Sequence, residues 1–255
     1  MEVYRKSRPR APHGFFACEA AGLRWLAAAH GAPVVEVIGV DDDHLDLARL
    51  EAVPATREAA RAFGAALAAT HAAGAASFGT GPPDWTGDGF FGPLETPLTM
   101  PAGHFAQWGA FMAACRIAPL DCDLREAGVS MPGLAILSER LRGGSLDDDE
   151  PPARLHGDLW SGNVVWTAGG ATLIDPAAHG GHRESDLAML ALFGLPHLDD
   201  VLAAYDDVSP LRRGWRQRVA LHQVYPVGMH ALLFGGPYLH QLADVIDHAI
   251  REITV

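Results

Sequence analysis

The side chains best suited to chemistry are an acid, an amide five residues on, and a second acid twelve residues beyond that. They are Asp158 and Asn163, in the stretch His156-Gly-Asp-Leu-Trp-Ser-Gly-Asn163, and Asp175, at the end of the apolar run Ala171-Thr-Leu-Ile-Asp. Phosphoryl transfer needs such oxygen-bearing groups around one point: one takes the proton of an acceptor hydroxyl, and two hold the Mg²⁺ that bridges nucleotide phosphates. Asp158 is the candidate catalytic base. Asn163 and Asp175 are the candidate Mg²⁺ ligands, a sparse set that suits an ion keeping water and phosphate oxygens around it. Gly157 and Gly162 permit a tight loop, and His156 is expected to bond its backbone. Asp and Asn also cap ordinary turns. The flanking glycines, the hairpin pattern that follows and the terminal Asp175-Pro176 together favour an ATP-dependent kinase.

Lys6 is the only lysine in the chain. On a strand facing the nucleotide, its ammonium would bridge the α- and β-phosphates, and Glu19 on the first predicted helix would hold it. Asp186 precedes an apolar helical pattern and has two compatible roles, an N-cap or an acceptor for the catalytic-loop backbone.

These groups need elements to hold them. A short strand is expected around Lys6, a helix over 15–30, and a hairpin from the runs 34–40 and 45–50 around the polar turn 41–43. Pro54 ends a connector, and Thr56 caps a helix running through Phe63, Leu67 and His71. Residues 77–101, rich in Gly and Pro, read as a long loop of the kind that is often functional. Helices follow over 102–117 and 132–141, then a second hairpin over 164–174 around Gly169-Gly170. Three or four helices run from Glu184 onward, broken near Pro196, Pro210 and Pro237. This outline is a small α/β lobe over residues 1–53 and a larger helical lobe over 54–255, with a ligand cleft between them.

Bulk properties narrow the partners. A net charge of −12 over 255 residues argues against nucleic acid, which requires a basic patch. The acidic runs are expected to be solvated loops and helix ends. No apolar run reaches the length of a membrane span. Three cysteines, Cys18, Cys115 and Cys122, suit free thiols in a reducing cytoplasm. No zinc-like Cys/His spacing is present.

Four segments carry a resemblance. They are His156 to Asn163 with Trp160 after Asp-Leu, the continuation Ile174 to Leu190, the segment Phe16-Ala-Cys-Glu19-Ala-Ala-Gly-Leu, and Leu221 to Leu239. Together they resemble the fructosamine (ketoamine) kinase family, which groups with aminoglycoside phosphotransferase-like small-molecule kinases. The resemblance implies an α+β, protein-kinase-like bilobal fold and ATP as donor. The implied acceptor is the carbon-3 hydroxyl of a ketoamine, free or protein-bound, and the implied role is deglycation. It makes Asp158 the base, Asn163 and Asp175 the Mg²⁺ ligands, and Lys6 and Glu19 the lobe pair. Glu51 falls in the hinge that faces adenine.

Beside the base, the Trp160 indole either stacks on the sugar or packs beneath the loop. His179, His182 and Arg183 either line the acceptor cleft or, for Arg183, pair with an acid. Tyr225, Phe234 and Tyr238 are expected in the core. The family opens with two strands and a Gly-rich turn over the phosphates, whereas this sequence starts at the strand bearing Lys6. The expectation is therefore a small sheet lobe lacking its first two strands, with an open edge at Lys6, either from a start assigned too late or in a protein working without that cover. A related kinase for aminoglycoside- or choline-like acceptors, and an impaired kinase-like binding protein, are the alternatives.

Overall fold

The computed structural model describes residues 2–252. Strand β1 (Val3–Ser7) leads through helix α1 (Phe15–Ala27) to the hairpin β2 (Val37–Val40) and β3 (His44–Ala48). The three strands form one antiparallel sheet in the order β1-β3-β2. Period-two alternation decides the faces. Leu45 and Leu47 are buried with Phe16, Ala20 and Leu23 of α1, while Asp46 between them pairs with Arg5 at 2.7 Å. Lys6 stands opposite Leu45 in the register. Directly opposed residues share a face, so Lys6 points toward α1, where Glu19 lies.

Residues 49–56 cross to the helical body, with Val53 N donating to Trp166 O at 2.8 Å. Thr56 caps α2 (Arg57–Ala72), its Oγ1 accepting from Ala59 N at 3.1 Å. Within residues 77–101, expected to be a loop, lies a short antiparallel hairpin, β4 (Gly89–Phe91) and β5 (Leu98–Met100). Three-residue strands set among Gly and Pro leave no periodic signal to read.

The helix expected over 102–117 begins later and runs further. It comprises α3 (Trp108–Met112), a π turn (Ala113–Ile117) and α4 (Ala118–Glu126). Pro119 gives the π turn a cause: it has no N–H to donate, and its ring crowds the carbonyl four residues back. That carbonyl, Cys115 O, instead accepts from Arg116 Nη1 at 2.9 Å.

Helix α5 (Pro132–Arg142) precedes the site-bearing strands. Strand β6 (Ala153–Leu155) enters the loop 156–163, and β7 (Val164–Thr167) and β8 (Gly170–Leu173) leave it as the expected hairpin. Strand β9 (His179–Gly181) returns to pair with β6. The two short ladders thus clamp both candidate site segments, 156–163 and 174–178. Four helices follow: α6 (Arg183–Leu192), α7 (Leu198–Val208), α8 (Trp215–Phe234) and α9 (Pro237–Glu252). Phe63, Leu67, Trp166, Leu187, Val201 and Tyr205 fill a core under α2, α6 and α7. A larger one, with Leu120, Leu134, Leu137, Val224 and Leu242, joins α4, α5, α8 and α9.

Candidate active site

The catalytic loop is held from below. Asp186, buried in α6, accepts from His156 N at 2.8 Å and from Gly157 N at 2.9 Å. His71 Nε2 lies 3.2 Å from the same carboxylate, and His71 Nδ1 lies 2.8 Å from the Tyr205 hydroxyl. Burial works against the Asp186 charge, but His71 and the loop outweigh it and lower its pKa. Of the two roles open to Asp186, the carboxylate takes the loop backbone; α6 is capped by His182, whose Nδ1 accepts from Glu184 N. His156 is buried, with Nε2 donating to Ile174 O at 2.8 Å and Nδ1 accepting from Asp158 N at 3.2 Å. Gly157 has φ +82°, and a Cβ there would stand 2.1 Å from Ala177 O, so this position takes only glycine.

Asn163 closes the loop on itself. Its Nδ2 donates to Asp158 O at 2.8 Å and to Asp158 Oδ2 at 3.1 Å. The Asp158 carboxyl is pushed up to about 7, chiefly by burial, with the Asn163 hydrogen bond opposing and Asp175 adding to the rise. Asp175 follows β8 in a left-handed conformation, φ 52°, which Asp tolerates better than most residues. Its carboxylate is 42% exposed and lies 3.3 Å from Lys6 Nζ.

Lys6 Nζ is also 2.8 Å from Glu19 Oε2. Burial pulls the Lys6 pKa down, but Glu19 and Asp175 outweigh it and raise it overall. Burial likewise pushes Glu19 up to about 7 against the pull of Lys6. One ammonium thus bridges a carboxylate of α1 and one of the helical body.

Lys6, Glu19, Asp158, Asn163 and Asp175 all line one cleft of about 420 Å³. Trp160, 36% exposed, lines it too. The indole stands edge-to-face with Phe193 at 5.7 Å and covers Gly162, so it both packs on the body and faces the cleft. The other expected residues lie elsewhere. Glu51 is exposed in the connector, which Val53 ties to β7, and is not part of the cleft wall. His179 is buried on β9, its Nδ1 donating to Ala177 O at 2.9 Å. His182 is buried against Asp148. Arg183 pairs with Glu150 at 2.6 Å and with Ser209. For these three the cause is local: after Ala178 the chain turns inward to pair as β9 and then begins α6.

His182, Glu184 and His222 bring ligand-type atoms within 4.8 Å of one another. Both Glu184 oxygens already accept from Arg218, at 2.5 and 2.8 Å, so this cluster is a buried ion-pair network with its charge answered. Among the described residues, no helix is long and apolar enough to cross a membrane.

The fructosamine kinase family profile matches residues 1–252. The chain belongs to the fructosamine kinase family. A probable ketoamine kinase of Synechocystis sp. is 32% identical over 246 residues, covering 92% of this chain and 79% of that protein. A putative fructosamine-3-kinase of Thermobifida fusca superposes with a TM-score of 0.88 at 45% identity, covering 98% of this chain and 85% of the other. A choline/ethanolamine kinase family protein of Mesorhizobium loti, 16% identical, covers 100% and 83% with a TM-score of 0.58, a likeness of fold. This fructosamine kinase family member is a phosphotransferase with an alcohol group as acceptor, on an α+β, protein-kinase-like fold.

The sequence did not reveal the wall of the cleft opposite Asp158. Phe90, Phe91 and the tip residues 92–95 of the β4–β5 hairpin line the cleft, as do His230, Leu233 and Phe234 at the end of α8. Phe234, expected in the core, is 58% exposed. The Gly- and Pro-rich composition of 77–101 flagged a functional segment but not its shape. For α8 the only signal was aromatic spacing, which core and cleft share. Tyr225 is buried, as expected, and Tyr238 packs half-buried on the same core.

Proposed function

We propose that this enzyme transfers the γ-phosphoryl group of ATP to a hydroxyl of a ketoamine, a sugar joined to an amine. The observation that carries the reading is the meeting of Asp158, Asn163, Asp175 and Lys6 on one cleft, in a chain whose relatives are named probable ketoamine kinases. Asp158 takes the acceptor proton as the hydroxyl oxygen bonds to the γ-phosphorus and the bond from that phosphorus to ADP breaks. Asn163 Nδ2 orients the carboxylate, and Glu19 holds Lys6 for the α- and β-phosphates.

The donor set fits Mg²⁺. Asn163 commits its Nδ2 to Asp158, which turns its oxygen to other use, and Asp175 offers a half-exposed carboxylate. Two hard oxygen ligands are what this ion takes beside phosphates and water. When bound, the metal would offset charge on the β- and γ-phosphates.

Trp160 and Phe90 offer faces for the sugar and its amine substituent. Residues 1–53 are the nucleotide lobe in this reading, and 54–255 carry the loop and the acceptor wall. Phosphorylation would labilise the ketoamine, giving a role in deglycation. Three free thiols suit a cytoplasmic setting.

ADP release, measured with a fructosyl amine and Mg²⁺, tests the reading. Turnover should require both, and Asp158→Asn should lower kcat by roughly 10²–10⁴-fold with nucleotide affinity retained. Full activity of Asp158→Asn, or turnover indifferent to the ketoamine, overturns it.

A further inference from the structure

Arg116 sits in the π turn and is 2% exposed. Among the described residues, no carboxylate comes within ion-pair distance of it. Its guanidinium instead lies over two rings, 4.6 Å from the Phe111 centroid and 5.2 Å from the Tyr225 centroid. In its plane, Nη1 donates to Pro101 O at 2.7 Å and to Cys115 O at 2.9 Å. A buried guanidinium without an anion is costly, and an apolar side chain would fill this slot without that cost. What the guanidinium adds is a rigid fork of donors: it lies over both rings and donates to two carbonyls at the same time.

Both ends of this contact lead to the acceptor wall. Pro101 directly follows β5 and therefore anchors the base of the β4–β5 hairpin. Tyr225 stands edge-to-face with Phe91 of β4 at 5.9 Å, and Phe91 and Phe90 line the cleft. A second, exposed pin holds the same base: Asp88 Oδ1 accepts from Ala102 N at 2.9 Å.

We propose that Arg116 is a positioning residue of the acceptor site, which fixes the β4–β5 hairpin, and with it Phe90, Phe91 and the tip 92–95, against the cleft. The inference rests on the reading of this wall as the ketoamine side of the site. It assigns Arg116 no contact with substrate; the hairpin it sets reaches the ketoamine, while the nucleotide side is built from Lys6, Glu19 and Asp175.

The test is Arg116→Lys beside Asp88→Ala, with two independent measurements. Lysine keeps the charge and a donor but loses the planar fork. Steady-state kinetics should show KM for the ketoamine raised about tenfold or more, the scale expected when a positioning contact is displaced, with kcat and KM for ATP within about twofold of the parent. Asp88→Ala, a surface change that leaves the core intact, should shift the same parameter in the same direction. Hydrogen exchange across 89–100 should quicken in both variants while 156–163 stays protected. Unchanged exchange in the hairpin, or equal loss in both KM values and kcat, overturns the inference and leaves Arg116 as packing. If the parent enzyme shows no ketoamine-dependent turnover, the functional reading falls by itself, and the exchange arm still decides whether Arg116 sets the hairpin.

Discussion

Asp158 carries opposed demands in one carboxyl. It must be ionised to take a proton, yet burial pushes it up to about 7. In its proposed role as base the carboxyl is active only when deprotonated, so kcat/KM should fall about tenfold per pH unit below that value. A profile flat from about pH 5.5 to 8.5 would remove Asp158 from the role. The same shift acts on stability in the other direction. A carboxyl whose folded pKa is raised costs stability once pH exceeds its unfolded pKa. Asp158→Asn should therefore stabilise the fold at about pH 8, by an amount on the order of 2 kcal/mol discounted for partial exposure, and so raise Tm even as turnover falls. A lower Tm for this variant would contradict the burial argument. At this scale the sequence was most legible, because the spacing of Asp158, Asn163 and Asp175 is itself chemical information. His182 and Arg183 were less so, since nothing in a side chain's type says whether the backbone turns it into the cleft or under it.

Elements brought the close approaches that composition hides. The helix capped by Thr56 could be read from its periodicity, but the distance between α2 and α7 could not. Gly64 sets it: a Cβ there would lie 2.1 Å from Val201 O. Gly64→Ala improves helix propensity, yet it must push α7 away and should destabilise by about 2–3 kcal/mol. Urea denaturation measures this directly, and a stabilised variant would show that the contact yields. The β4–β5 hairpin illustrates the opposite limit. Its strands are too short for alternation to register, and its place is fixed by partners far off in sequence, Arg8 at Leu94 O and Phe15 against Phe90. Long-range contacts of this kind decide structure without leaving a local pattern.

Across the whole molecule, buried charge makes stability depend on pH. Burial disfavours the Glu184 charge, but His222 and Arg218 outweigh it and hold the carboxyl at about 2, from an ordinary 4.5. Its contribution is present above about pH 4.5 and is lost as pH falls toward about 2. Buried His222 and His179 are lowered from 6.5 to about 4 and about 3, chiefly by desolvation. They take protons more readily when unfolded, so they begin to cost stability below about pH 6.5. Tm should decline from about pH 6.5 and more steeply below about 4.5. Arg218→Met should cost about 3 kcal/mol at about pH 7, a difference that shrinks as Glu184 protonates; a constant difference down to about pH 2 would deny the pair its role. The net charge gave no hint of this network, because surface acids mask it. The π turn bears on descent as well. A π bulge is an α-helix with one residue too many, so loss of one residue there leaves the flanking turns facing as they do now. Such a deletion keeps the phase of the flanking turns but removes the seat of the guanidinium, so on the proposed role of Arg116 the loss of a single codon would shift the wall of the cleft.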